Sequence, residues 1–341
     1  MKTLVTGATG FLGSHIAREL SGRGEDVRVL ARASSDLRAL EGFRSESAVG
    51  DLRDAASLDR ALDGVSRVFH VAADYRLWAS DPREIYESNV TGTQNLLEAA
   101  RRAGVEKFVY TSTVATIAVP REGRLPNEQT QSSVAEMIGH YKRSKFQAEQ
   151  CALLAAEAGL PVIIVNPTTP VGPGDWKPTP TGKIIVDFLN GRMPGYVDTG
   201  LNFVPVEDCA RGHLLAAERG RVGERYILGG RNLTLKQILD MLAAISGRRA
   251  PRWKFPHALA YAAACVDTGV SRMLGRAPQI PLEGVRMARH KMFVDASKAG
   301  RELGFVSGPV EAALERAVEW YEANGYIASR GAQPVARAHA A

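Results

Sequence analysis

Tyr141 and Lys145 stand four residues apart in GHYKRSKFQAEQ, residues 139–150. On a helix that spacing turns both side chains to one side. A tyrosine with an ordinary pKa of about 10 is a sluggish proton carrier at neutral pH. A lysine cation beside it favours the phenolate and draws that pKa toward a useful range. Such a pair suits hydride chemistry at a carbon bearing oxygen. Oxidising an alcohol needs a base as the hydride leaves, and reducing a ketone needs an acid as it arrives. A hydroxyl at a neighbouring strand end would hold the substrate oxygen beside the phenol, and YTSTVAT offers Ser112 and Thr113. Alone, the pair reads equally well as a solvated helix face, so its meaning depends on a cofactor site elsewhere in the chain.

TGATGFLG supplies that context, with Gly7, Gly10 and Gly13 spaced G-x-x-G-x-x-G between a first strand and a first helix. Glycines allow the tight turn and the close approach of backbone to a pyrophosphate, and the helix N-terminus offers N–H groups to the anion. Thr9, Phe11 and Leu12 lie within the same turn and are assigned to the cofactor site with it. Where an acid would bind the ribose hydroxyls of NAD, at the end of the second strand, the chain has Arg32. An arginine suits the 2′-phosphate of NADP, so NADP is the expected cofactor, with NAD the alternative. An exposed loop arginine is the plainer reading of the same residue. Asp51 and Leu52, ending the third strand, are placed beside the adenine, and Ala72 and Ala73, ending the fourth, beside ribose and phosphates. Pro167, Thr168 and Thr169, at the end of the sixth strand, complete the expected cofactor set, to which Asn89, Tyr141 and Lys145 also belong.

The elements that must position these residues alternate. Apolar runs at 3–7, 26–32, 47–50, 67–73, 107–113 and 161–168 are separated by helical stretches. Strands apolar on both faces and separated by helices imply a parallel sheet buried under helices, a Rossmann-type doubly wound α/β fold. The Tyr–Lys helix falls between the fifth and sixth strands, and Ser133 with Glu136 predicts a capping box at its start. Residues 1–170 are expected to form the nucleotide-binding domain, with 201–230 returning to it. Residues 171–327 are expected to form a smaller, mostly helical substrate lobe. The Pro/Gly-rich stretch 170–183 reads as loop, its PTPTG segment and Trp176 placed over the pocket. HALAYAAACVDTGVSRML, residues 257–274, reads either as that lobe's core helix or, less simply, as the lining for a bulky lipid-like substrate. The small, polar tail 328–341 reads as disordered.

Composition narrows the classes. A chain of 341 residues, 45% hydrophobic and 23% charged, is ordinary for a globular protein. Its three cysteines are far apart with no CxxC, which fits reduced thiols in a cytoplasm and gives no metal site. The net charge of +6 comes from scattered arginines and not from a basic block, so nucleic acid is not an expected partner. No apolar run reaches the length of a membrane span, and no signal peptide is evident.

Taken in order, TGATGFLG, GDLRD, HVAA, NVTGTQNLLEAA, YTST and YKRSK resemble the extended short-chain dehydrogenase/reductase family. The resemblance runs from residue 1 to about 327. It implies a Ser/Thr–Tyr–Lys triad at Thr113, Tyr141 and Lys145, a supporting role for Asn89 in the active-site hydrogen-bond network, and a homodimer. More narrowly, HVAADYRLWA, GHYKRSKFQAEQ, KPTPTGKIIVDFLNGRMPGYVDTGLN and RYILGGRNLTL look like hopanoid-associated sugar epimerases, themselves similar to dihydroflavonol 4-reductases. Two chemistries follow from the resemblance. An epimerase keeps its NAD and returns the hydride; a reductase consumes NADPH. Arg32 leans to the reductase and a carbonyl or alcohol substrate, sugar- or lipid-linked. So does Leu201, which stands where nucleotide-sugar epimerases carry a diphosphate-binding arginine. Arg286 and Arg289 remain candidate anion contacts, although solvated arginines are the plainer reading. Relatives of this fold that merely sense the NADP(H) ratio commonly lack the Tyr–Lys pair present here.

Overall fold

A computed structural model describes residues 1–117 and 124–327. The expected tail, 328–341, lies outside the described residues. Seven strands form one parallel sheet: β1 (Lys2–Thr6), β2 (Asp26–Ala31), β3 (Glu46–Val49), β4 (Val65–His70), β5 (Lys107–Thr111), β6 (Val162–Pro167) and β10 (Arg225–Leu228). Their order is β10-β6-β5-β4-β1-β2-β3. The chain leaves β1 in one direction and crosses to β4 for the other, so a crevice opens at the C-terminal ends of β1 and β4.

Two apolar cores hold the helices to this sheet. On one face α1 (Phe11–Gly22) and α7 (Val206–Arg219) pack together, with Ile16, Leu20, Cys209 and Leu214 buried against Val5, Val29 and Val165. On the other, α2 (Ala55–Ala61), α4 (Gly92–Arg102) and α5 (Gly139–Glu157) bury Leu58, Leu96, Ala148 and Ala152 against Leu4, Val68 and Ile164. A short α3 (Arg83–Tyr86) leads through a π-helical turn, Glu87–Thr91, into α4. The Ser133–Glu136 capping box forms, but it caps a separate 3-10 turn, Val134–Glu136. The Tyr–Lys helix starts at Gly139 instead, because Gly139 sits at φ +83°, which breaks the path between the two.

The lobe is less purely helical than its sequence suggests. β7 (Thr169–Val171), β9 (Gly200–Pro205), β11 (Arg231–Thr234) and β13 (Lys291–Met292) make a second sheet, and β8 (Gly195–Tyr196) pairs β12 (Trp253–Lys254). Residues 201–230 therefore divide, β10 joining the main sheet and β9 the small one. The stretch 170–183 is not all loop either. Thr179 accepts from the Gly182 N–H at 3.1 Å and caps α6 (Pro180–Leu189), while Trp176 packs edge-on against Trp320 at 4.9 Å. Around α6, α8 (Leu235–Ser246) and α12 (Val310–Ala323) lies the lobe's own core of Leu189, Leu239, Leu314 and Tyr321. α9 (His257–Met273) is not that core helix: only Ala264 and Ser271 of it are buried. Its companion is α10 (Leu282–Met287), whereas α11 (Ser297–Leu303) packs back on α7 and β10, with Ala299 and Leu303 in the core of the main sheet.

Candidate active site

The crevice end of the sheet collects most of the residues singled out from sequence. Gly7 follows β1 at φ +71°, and a Cβ there would lie 2.6 Å from the Ala72 backbone nitrogen. A Cβ on Gly13 would collide with the Gly7 carbonyl. The turn is thus closed on itself so tightly that only glycine fits, and it delivers the N-terminus of α1 to the crevice. Thr9, Phe11 and Leu12 are half-buried along it. These residues fit a dinucleotide pyrophosphate. Arg32 comes immediately after β2, exposed, with its charge felt by the Asp51 carboxylate. Asp51 follows β3 and is held bidentately by Arg53, whose hydrogen bonds lower its carboxyl to a pKa of about 2. Leu52 is buried beside Gly92. Ala72 and Ala73 follow β4, with the Ala72 N–H bonded to the Thr6 hydroxyl at 3.2 Å. Past β6, Pro167 is buried, Thr169 opens β7, and Thr168 spends both its N–H and hydroxyl on the Leu228 carbonyl.

Thr113, at the end of β5, and Tyr141, in the first turn of α5, meet through a side-chain hydrogen bond. Burial raises the Tyr141 phenol above its ordinary pKa, and the bond with Thr113 opposes that rise. Lys145 is not among the groups that shift the phenol here. Lys145, one helical turn on, is 2% exposed. Its ammonium donates to the Tyr110 hydroxyl at 2.9 Å and the Thr111 carbonyl at 2.8 Å, and lies 4.5 Å from the Tyr110 ring centroid. Burial lowers its pKa to about 7, against the pull of the Glu149 carboxylate. Lys145 is therefore partly protonated at neutral pH, a state that can both hold and release a proton.

Asn89 reaches the same helix from the π-helical turn. Its amide donates to the Ser144 hydroxyl at 3.0 Å and to the Asp74 carbonyl at 2.8 Å, and its oxygen accepts from the Asp74 N–H at 2.7 Å. It thus ties the segment after β4 to the face of α5 opposite solvent.

Three participants were not singled out from sequence. Glu149 is fully buried and accepts from Ser112 at 2.5 Å, Thr116 at 2.9 Å, Asn166 at 2.8 Å and Arg225 at 3.3 Å. Ser112 is thereby committed to Glu149, and Thr113 is left to face Tyr141. His70 bridges Thr6 at 2.8 Å and Thr93 at 2.9 Å, and burial holds it neutral with a pKa of about 3. Lys142 is only 4% exposed, its Nζ 3.6 Å from the Met292 sulfur, and burial lowers it to about 8. The i, i+4 and i, i+8 spacing of Lys145 and Glu149 from Tyr141 was a usable signal for Glu149. Lys142 carried none, because a lysine in a polar helix reads as solvated.

The chain matches the NAD dependent epimerase/dehydratase family over residues 3–229. It belongs to that family, the extended short-chain dehydrogenases/reductases. It is 47% identical, over 95% of both chains, to a Synechocystis protein named "Putative dihydroflavonol 4-reductase". It is 39% identical to sterol demethylase protein B of Methylococcus capsulatus, covering 96% of this chain and all of that one. A nucleoside-diphosphate-sugar epimerase from Pseudomonas aeruginosa has the same fold, with a TM-score of 0.81 and 31% identity over 96% of this chain and 99% of that one. This family member is an NAD(P)-dependent oxidoreductase/epimerase. Of the anion contacts considered in the lobe, Arg286 is exposed and leans over Tyr261 at 5.9 Å, while Leu201 is half-buried on β9.

Proposed function

We propose that this enzyme is an NADP(H)-dependent carbonyl reductase, acting on a ketone with a largely apolar body. The observation that carries the reading is Arg32: an exposed arginine immediately after β2, where an acid would serve NAD. Leu201 on β9 supports it, being apolar where a diphosphate-binding arginine was expected. The likeness to a protein named for dihydroflavonol reduction points the same way.

When bound, the nicotinamide supplies the hydride. Gly7, Gly10 and Gly13 would hold its pyrophosphate at the N-terminus of α1, and Arg32 would bind a 2′-phosphate. Thr113 and Tyr141 receive the carbonyl oxygen between two hydroxyls. Tyr141 is a phenol with a raised pKa, so it carries its proton at neutral pH and gives it to the developing alkoxide. The phenolate left behind is stabilised by Lys145, whose pKa of about 7 suits re-protonation between turnovers. Asn89 keeps α5 in place through Ser144.

Cofactor exchange tests the reading. The purified protein is denatured, the released nucleotide identified, and excess NADPH offered to native enzyme. A freely exchanging site that prefers NADPH is expected. Tightly held, non-exchanging NAD would overturn the reductase in favour of epimerisation.

A further inference from the structure

α9 is an apolar helix lying on the surface. Its covered positions, His257, Ala260, Ala264, Asp267, Thr268 and Ser271, lie along one helix face, and Tyr261 beside them meets Arg286. Outside that face Leu259 is 56% exposed, Val266 67% and Met273 88%, and Leu274 just beyond is 65% exposed. Arg272 is the single charged residue among the helix's exposed positions. Trp253 stands at the approach to the helix, 73% exposed. A contiguous apolar face of this kind marks an interaction surface.

Its surroundings are strongly basic. Residues 247–292 hold nine arginines and lysines against two acids, Asp267 and Glu283, a net +7 in a chain whose total is +6. The protein's entire positive excess therefore sits around this helix. Arg252, Arg276, Arg286 and Arg289 are exposed there. Asp267 is turned inward, accepting from the Ile280 N–H at 2.8 Å and pairing with Arg276 at 3.8 Å. Asp198, outside the segment, offsets part of the charge by pairing with Lys254 and Lys291.

We propose that α9 is an interfacial anchor that lies in the headgroup plane of an anionic lipid bilayer. A helix with an apolar face, a tryptophan at its edge and a basic rim has the make-up of such an anchor. It does not span: no helix among the described residues is long and apolar enough to cross a membrane. A second copy of the chain is the poorer occupant, because a symmetric contact would set two +7 surfaces against each other. The anchor also leads to the active site. Glu283 of α10 accepts from the His140 N–H at 3.2 Å, one residue before Tyr141, and Gly284 lies beside Leu77. The catalytic crevice thereby opens near the bilayer surface.

Vesicle flotation of the full chain tests this. Vesicles of phosphatidylcholine with about one-third phosphatidylglycerol should carry the protein, and pure phosphatidylcholine should carry at least tenfold less. The double variant Val266→Asp/Met273→Asp should lose at least tenfold in binding to the anionic vesicles, with an unchanged thermal melt. As a second readout on otherwise native protein, brominated lipid should quench tryptophan fluorescence, and Trp253→Phe should remove most of that quenching. Equal flotation with both vesicle types, unaltered binding by the double variant, or quenching unchanged in Trp253→Phe would each overturn the anchor. So would a wild-type chain that ignores vesicles and sediments as a dimer that the double variant abolishes.

Discussion

The neighbourhood of α5 and that of α9 handle polarity in opposite ways. Around α5, charge is taken inside and matched: Glu149 meets four donors, and Lys145 meets two oxygens and a ring face. Around α9, apolar surface is left outside and the charge about it stays exposed, even where Arg276, Lys254 and Lys291 pair with acids. The first arrangement fixes geometry, since each buried group is intolerable without its partners. The second contributes little to folding and is suited to meeting something else. Substitutions should therefore separate the regions, with large losses of chemistry or stability in one and neither in the other.

The largest effect is expected at Tyr141. Tyr141→Phe should lower kcat by about 10²–10⁴-fold, the usual contribution of a positioned acid–base group, with NADPH binding retained on titration. Unchanged turnover would remove the chemistry from α5. Glu149→Ala should cost about 3 kcal/mol or more in urea unfolding, because Arg225 and three polar donors would lose their acceptor. Arg32→Ala should weaken NADPH binding by about 1.5–3 kcal/mol while sparing NADH, the scale of a hydrogen bond to a charged group. Equal losses for both nucleotides would void the specificity assigned to it.

A pH series sharpens the contrast further. Lys145 and Lys142 titrate near 7 and 8 in the fold and near 10.4 when unfolded. Between those values the unfolded chain binds more protons, so stability rises as pH is raised from about 7 toward 10 and falls on the way back. Lys142→Met should flatten the rise, measured as the melting temperature against pH without added nucleotide. The smallest effect belongs to α9. Val266→Asp, at an exposed position, should change unfolding stability by no more than about 0.5 kcal/mol. A larger loss would mean that α9 is a packing element after all.

What the sequence revealed follows the same divide. The strands of the main sheet were legible because burial on both faces demands continuous β-branched runs such as VIIV at 162–165. The glycine turn was legible because only glycine fits between Gly7 and Ala72. The smaller sheets were not, since β8, β12 and β13 are two residues long and leave no alternating pattern. α9 was misread for a sharper reason. Apolar periodicity reports what a segment avoids, and it cannot distinguish a core from a surface meant for lipid. Spacing could place Glu149 on the Tyr141 face, but not its bonds, because its partners come from 112, 116, 166 and 225 and only the fold assembles them.

The position of β10 in the chain bears on how the protein is made. This outermost strand pairs with β6 only after the ribosome has passed residue 228, and α7, which covers α1, is made just before it. Until then β6 is an unpaired apolar edge, and one side of the sheet lacks part of its cover. The nascent enzyme thus passes through a long aggregation-prone interval, and a fragment ending near residue 170 should need a chaperone to stay in solution.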